Sequence, residues 1–154
     1  MDVGSGSGYP SSALSNFAPH PFEIDGVKCN SMEGFLQSLK FKNEDMQKHV
    51  CTLVGKKAKF KGKKKKWWNT GLLYWKGKEI DRFGDEYQVL LDHSFVCLSK
   101  NTKFSKALVF TNNSTLTHSI GKNDKKRTIL TTQEFCKRLY EIRGVLQKYI
   151  SDKE

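Results

Sequence analysis

Long hydrophobic runs are missing from this sequence. No uninterrupted apolar stretch exceeds a few residues, which excludes a membrane-spanning helix. No apolar segment follows the N-terminus, so no secretory signal is expected. Paired cysteines are missing too. Cys29, Cys51, Cys97 and Cys136 are unevenly spaced and none forms a C-x-x-C pair, which argues against a cysteine zinc site. A chain of 154 residues can bury a core without disulfides, so four reduced thiols are expected, in a cytoplasmic protein or, in a eukaryotic host, a nuclear one. Three catalytic signatures are absent: G-x-x-x-x-G-K-[ST], H-E-x-x-H and G-x-S-x-G. ATP-driven, metalloprotease and serine-hydrolase readings lose their support with them. The stretch Gly4 to Gly8 precedes no helical pattern and fails as a dinucleotide fingerprint. Neither a metal nor an organic cofactor is implied.

Acidic residues are in deficit, 16 against 27 Lys and Arg, for a formal net charge of +11. The excess is local. Residues 56–66 carry eight lysines and no acid, so the rest of the chain is near balance. Such a patch attracts phosphate, through counterion release when the partner is a polymer. A solvated charge run and a nuclear import signal are the alternatives. The interrupting Ala58 and Phe60, and Trp67-Trp68 just beyond, argue against a free tail.

Hydrophobic periodicity predicts an α+β fold: one mainly helical domain over 1–154 with small β-hairpins. Residues 1–13, rich in Gly and Ser, read as a flexible leader or backbone-exposing loop. Asp25-Gly26 and Lys76-Gly77 mark hairpin turns within 22–28 and 72–80. Met32, Phe35, Leu36 and Leu39 form one helical stripe, with Asn30 as expected N-cap and Glu33 in a capping-box position. Helices are also expected over 46–54, around Tyr87 to Leu98, and over 104–110. A further, final helix has the best start signal in the chain, Thr131-x-x-Glu134, and a stripe of Phe135, Leu139, Ile142, Leu146 and Tyr149. A polar loop with Gly121 spans 116–130.

An ordered set of short motifs runs through the chain: Leu14-Ser15-Asn16-Phe17-Ala18-Pro19, Phe22-Glu23-Ile24-Asp25-Gly26, and Ser31-Met32-Glu33-Gly34-Phe35-Leu36-Gln37. The glycine-flanked basic segment 55–62 with Trp68 follows, then Leu116-Thr117-His118-Ser119-Ile120-Gly121-Lys122 and Leu139-Tyr140-Glu141-Ile142-Arg143. Together they resemble the NADAR, or YbiA-like, superfamily over essentially the whole chain. One departure matters. Where YbiA proper has an aspartate and a Trp-Gly pair, this chain has Leu116 to Gly121. It therefore looks more like the branch of DarT–DarG toxin–antitoxin systems, which removes ADP-ribose from guanine in DNA, than like the riboflavin-pathway branch.

The resemblance implies Glu33 as the catalytic carboxylate, stabilising an oxocarbenium-like state or activating water; capping alone is its structural alternative. His118 is the second catalytic candidate, set to protonate the departing base, with an ordinary structural histidine as alternative. Asn16 is suited to ribose hydroxyls or a base edge, against an Asx-turn. Phe17 stacks on a base or fills the core, and Trp68 walls the pocket or packs. Lys56, Lys59, Lys61 and Lys63 are pyrophosphate candidates, most of them surface residues. Arg82 is read as a bidentate phosphate ligand or an ion pair with Asp81 or Glu86. Gly8, Tyr9, Ser119 and Gly121 enter the site by resemblance. The expected activity is N-glycosidic hydrolysis that frees ADP-ribose from a nucleobase of nucleic acid, DNA before RNA. The alternatives are an N-glycosidase on a free nucleotide or NAD-like metabolite, and a non-catalytic ADP-ribose-binding module. The resemblance leaves room for functional pairing with an ADP-ribosyltransferase toxin, and no membrane partner is expected.

Overall fold

Two-residue turns shape the sheet portion. In a computed structural model, which describes residues 1–153, β1 (Phe22–Ile24) and β2 (Val27–Cys29) pair antiparallel with Ile24 opposite Val27. Asp25 and Gly26 both take positive φ, 51° and 80°, as a hairpin turn matched to strand twist requires. The second hairpin repeats this: β3 (Leu72–Trp75) and β4 (Lys78–Asp81) close at Lys76 and Gly77, φ 50° and 84°. Residue 154, the last of the expected domain, lies outside the described residues.

The helices are α1 (Ser11–Leu14), α2 (Met32–Ser38), α3 (Glu44–Cys51), α4 (Gly55–Lys63), α5 (Asp85–Ser99), α6 (Thr102–Phe110) and α7 (Thr132–Lys153). The fold is α+β, mainly helical, with two small antiparallel hairpins. None of the described helices is long and apolar enough to cross a membrane. One core runs through it, with Phe35, Leu73, Tyr87, Leu91, Phe95 and Phe135 at 1% exposure or less. On one side α2 packs on α3 and α4; on the other, α5, α6 and α7 pack together. Gln47, buried in α3, joins them to the second hairpin. Its amide donates to the carbonyls of Ser38, Phe41 and Tyr74, and its oxygen accepts from the Lys76 amide.

Several boundaries differ from expectation, each for a local reason. The N-cap of α2 is Ser31, not Asn30: the Ser31 hydroxyl accepts from the Gly34 amide at 3.0 Å, while Asn30 donates to the Thr52 carbonyl. Glu33 is thus not in a capping-box position. The helix expected over 46–54 starts two residues earlier because Asn43 caps it, and Asn101 likewise starts α6 at Thr102. The lysine segment is itself mostly a helix, α4. The leader is tethered: Val3 is buried, its amide donates to the Thr117 carbonyl, and Asp2 accepts from Ser119. Tyr149 ends its stripe 57% exposed, past the edge of the core. The α7 capping box forms with both arms, Thr131 N–H to Glu134 Oε1 (2.8 Å) and Glu134 N–H to Thr131 Oγ1 (3.0 Å).

Candidate active site

Helix α2 has two working faces. Met32, Phe35 and Leu39 enter the core. Glu33, Leu36 and Gln37, at i, i+3 and i+4, face a cleft of about 310 Å³ instead. That volume is at the lower end of ordinary ligand sites. Asn16 and Phe17 close one side, and the Asn16 carbonyl accepts from the Glu33 amide (3.0 Å), clamping that turn to the helix. His118, Ile120, Gly121 and Lys122 come from the polar loop; residues 127–130 and Phe135 complete the wall.

Among the described residues, Glu33 is the only carboxylate lining this cleft. Burial raises its pKa, opposed by a hydrogen bond from Gln37 and by the charges of Lys40, Lys59 and His118. Lys40, just past the helix, is pushed down to about 8 by its own burial, against the pull of Glu33. Gln37 donates Nε2–H to Glu33 Oε1 at 2.9 Å, which fixes the orientation of its amide. Its Oε1 is turned toward Gly62 of α4 and is buried without a protein partner. Cations line the cleft as well: Lys59, Lys122 and Arg127. His118 pairs Nδ1 with the Val3 carbonyl at 2.8 Å and sets its ring edge-on to Phe135. With Nδ1 so committed, Nε2 is the ring atom left to serve a ligand.

Of the residues singled out in the sequence, the structure brings Asn16, Phe17, Glu33, Lys59, His118 and Gly121 to one cleft. The others lie elsewhere. Tyr9 is exposed with its ring against Phe110, and Gly8 precedes it in open surroundings. Lys56, Lys61 and Lys63 are on α4 outside the cleft, and Trp68 is half exposed, edge-on to Trp67. Ser119 turns to Asp2, donating Oγ–H to Oδ2 at 2.5 Å. Arg82 is fully buried and unavailable to a ligand: Nη1 and Nη2 grip Glu134 (3.1 and 2.6 Å) and Nε donates to the Thr128 carbonyl. Its partner is thus neither Asp81 nor Glu86, and it acts from behind the cleft, holding the strand of wall that contains Thr128. Gln37, Lys122 and Arg127 were not singled out. The polar loop's own basic cluster, Lys122 with Lys125 to Arg127, was the available signal.

Glycines create the room these groups need. A Cβ at Gly62 would overlap Gln37 Oε1 and stand 2.7 Å from its Cδ; one at Gly121 would lie 2.5 Å from His118 Cδ2. Gly62→Ala is therefore expected to push the Gln37 amide off Glu33 and cut turnover about tenfold or more, while circular dichroism stays native. Unchanged turnover would show that this amide does not position the carboxylate.

Residues 8–144 match the family model described as Bacteriophage protein GP30.3. Over 149 residues the chain is 34% identical to a 17.1 kDa protein from the Gp30-rIII intergenic region of Enterobacteria phage T4, covering 95% of this chain and 98% of that one. The fold aligns with the NMR structure of the E. coli protein YbiA at a TM-score of 0.59, covering 100% of this chain and 87% of that chain at 18% identity. The architecture is thus YbiA-like.

Proposed function

The chain belongs to the Bacteriophage protein GP30.3 family, and on that footing we propose that it is an N-glycosyl hydrolase of the NADAR type, freeing ADP-ribose from a nucleobase in nucleic acid. One observation carries the reading: among the described residues a lone carboxylate, Glu33, lines a cleft with three cations and His118. Cations alone would make an anion-binding site. A single acid among them, positioned by Gln37, suits a reaction in which positive charge develops beside a held phosphate.

In this reading Lys59, Lys122 and Arg127 take the pyrophosphate, and Gln37 holds Glu33 in place through its Nε2–H. Glu33 stabilises the oxocarbenium-like state and takes a proton from the attacking water. The water oxygen bonds to the anomeric carbon as the carbon–nitrogen bond breaks. The base leaves with the bonding pair and gains a proton; His118, whose Nδ1–H is held by the Val3 carbonyl, donates it from Nε2 in its doubly protonated form. Phe17 and Phe135 offer aromatic walls for base stacking.

Guanine in DNA is the first-choice base, since a purine offers more stacking area and more edge groups than thymine. Such a hydrolase undoes what an ADP-ribosyltransferase acting on nucleic acid makes, so that enzyme class supplies its substrate. Parallel turnover on DNA bearing ADP-ribose at guanine, DNA bearing it at thymine, and free NAD is expected to favour the first by at least about tenfold. Release is read by mass analysis of freed ADP-ribose and restored base. Activity on NAD alone would move the assignment to a metabolite N-glycosidase. Tight ADP-ribose binding with no release from any of the three would leave a binding module.

A further inference from the structure

Helix α4 turns two narrow residues inward and almost everything else outward. Ala58 and Gly62 are buried, and α4 packs on α2. Phe60 lies two residues, about 200° of helix, from each of them, so it points away from the protein. It is 54% exposed, an unusual position for a phenyl ring. Lysines surround it. Lys56, Lys59 and Lys63 share its face at helical spacing, and Lys57 and Lys64 flank its other side, all exposed. Past the end of the helix, Trp68 is 52% exposed. Lys59 belongs both to this face and to the Glu33 cleft, so the two surfaces are continuous.

We infer that the outward face of α4 is a binding surface for single-stranded nucleic acid, with lysines along the backbone and Phe60 stacked against an unpaired base. Charge alone would serve a duplex equally well. The exposed ring distinguishes the two, because stacking needs a base face that a duplex hides. The same pattern offers little to a lipid surface: interfacial helices carry a broad apolar stripe, and here one ring stands among charges. The inference deepens the reading of the cleft by naming the polymer that enters it, and it rests on that reading only for the role of the cleft. Lys59 at the shared edge would pass the strand from the α4 face to the Glu33 carboxylate.

The test is fluorescence anisotropy with an unmodified, labelled 20-nucleotide single strand and its duplex, which needs no turnover. The single strand is expected to bind about tenfold tighter than the duplex. Phe60→Ala should weaken single-strand binding about tenfold and leave the duplex unaffected. Phe60→Tyr should restore it and Phe60→Leu should not, which separates stacking from apolar area. Lys63→Gln with Lys64→Gln should reduce the salt slope for the single strand by about 1.4. Equal binding of both nucleic acids with no effect of Phe60→Ala would overturn the proposal. So would capture by vesicles containing phosphatidylserine with no binding of the oligonucleotide. Loss of the glycosidase reading leaves these measurements intact. Conversely, turnover of a modified mononucleotide without strand binding would remove this surface and keep the cleft.

Discussion

Glu33→Gln is expected to lower release of ADP-ribose by at least about a hundredfold while ADP-ribose itself still binds. The substitution keeps the shape of the side chain and an oxygen to accept from Gln37, but removes the charge that a developing oxocarbenium ion requires. It should also make the protein more stable. Burial raises the folded-state pKa of Glu33, so ionisation at neutral pH works against folding, and a neutral amide relieves that penalty. Higher melting temperature with lost turnover would mark a group held under strain for its chemistry. Single-turnover kinetics, calorimetric titration with ADP-ribose and a thermal melt together check it; near-normal turnover in the folded variant would end the assignment. If catalysis uses the ionised form, the acidic limb of kcat/KM lies above the ordinary carboxylate range, for the same reason.

Arg82→Met is expected to destabilise the fold by about 3–5 kcal/mol, enough to lower Tm by about 10 °C. It would leave Glu134 buried without its cationic partner, with only Gln88 and the Thr131 amide still donating to it. Burial alone would raise the Glu134 carboxyl; hydrogen bonds from Arg82, Gln88 and the Thr131 amide outweigh it and hold the group at about 2. A folded-state pKa below the unfolded one means stability that is present above about pH 4.5 and lost as pH falls toward 2. Wild type should therefore lose stability across that window, and Glu134→Gln should show a flatter profile. Denaturant midpoints from pH 2 to 7 measure both. The Arg82 variant should also lose ligand affinity, because Nε no longer anchors Thr128 in the cleft wall. A midpoint shift under about 1 kcal/mol would show that the pair is dispensable.

What could be read from the sequence was local. Asp25-Gly26 and Lys76-Gly77 demand positive φ whatever surrounds them, and Thr131-x-x-Glu134 carries both halves of its own cap. Ser31 and Asn30 are each good cap residues, and only the position of the Thr52 carbonyl assigns Asn30 another partner. Arg82 shows the same limit from the other side. A guanidinium after a hairpin looks like a free phosphate ligand until Glu134, 52 residues away, arrives beside it. The cleft was legible where its residues sat in motifs: Asn16, Glu33 and His118. Lys122 and Arg127 became visible only when the polar loop folded over α2. Residues 1–13 had no periodicity to declare that Val3 is buried and orients His118.

Two glycines allow close approach around α2, one to the backbone that follows α3 and one to a side chain of α2 itself. A Cβ at Gly34 would stand 2.5 Å from the Leu53 carbonyl oxygen, and Gly62 admits Gln37 in the same way. Helix α2 is therefore packed tightly on both sides, and the floor beneath Glu33 is in place before any ligand arrives. A ligand meeting a finished surface waits for no rearrangement. Its arrival rate is governed by attraction between its phosphates and the cations, a reach of about 8 Å at physiological ionic strength. Among ligands of equal charge, discrimination then falls on residence time rather than on the rate of encounter.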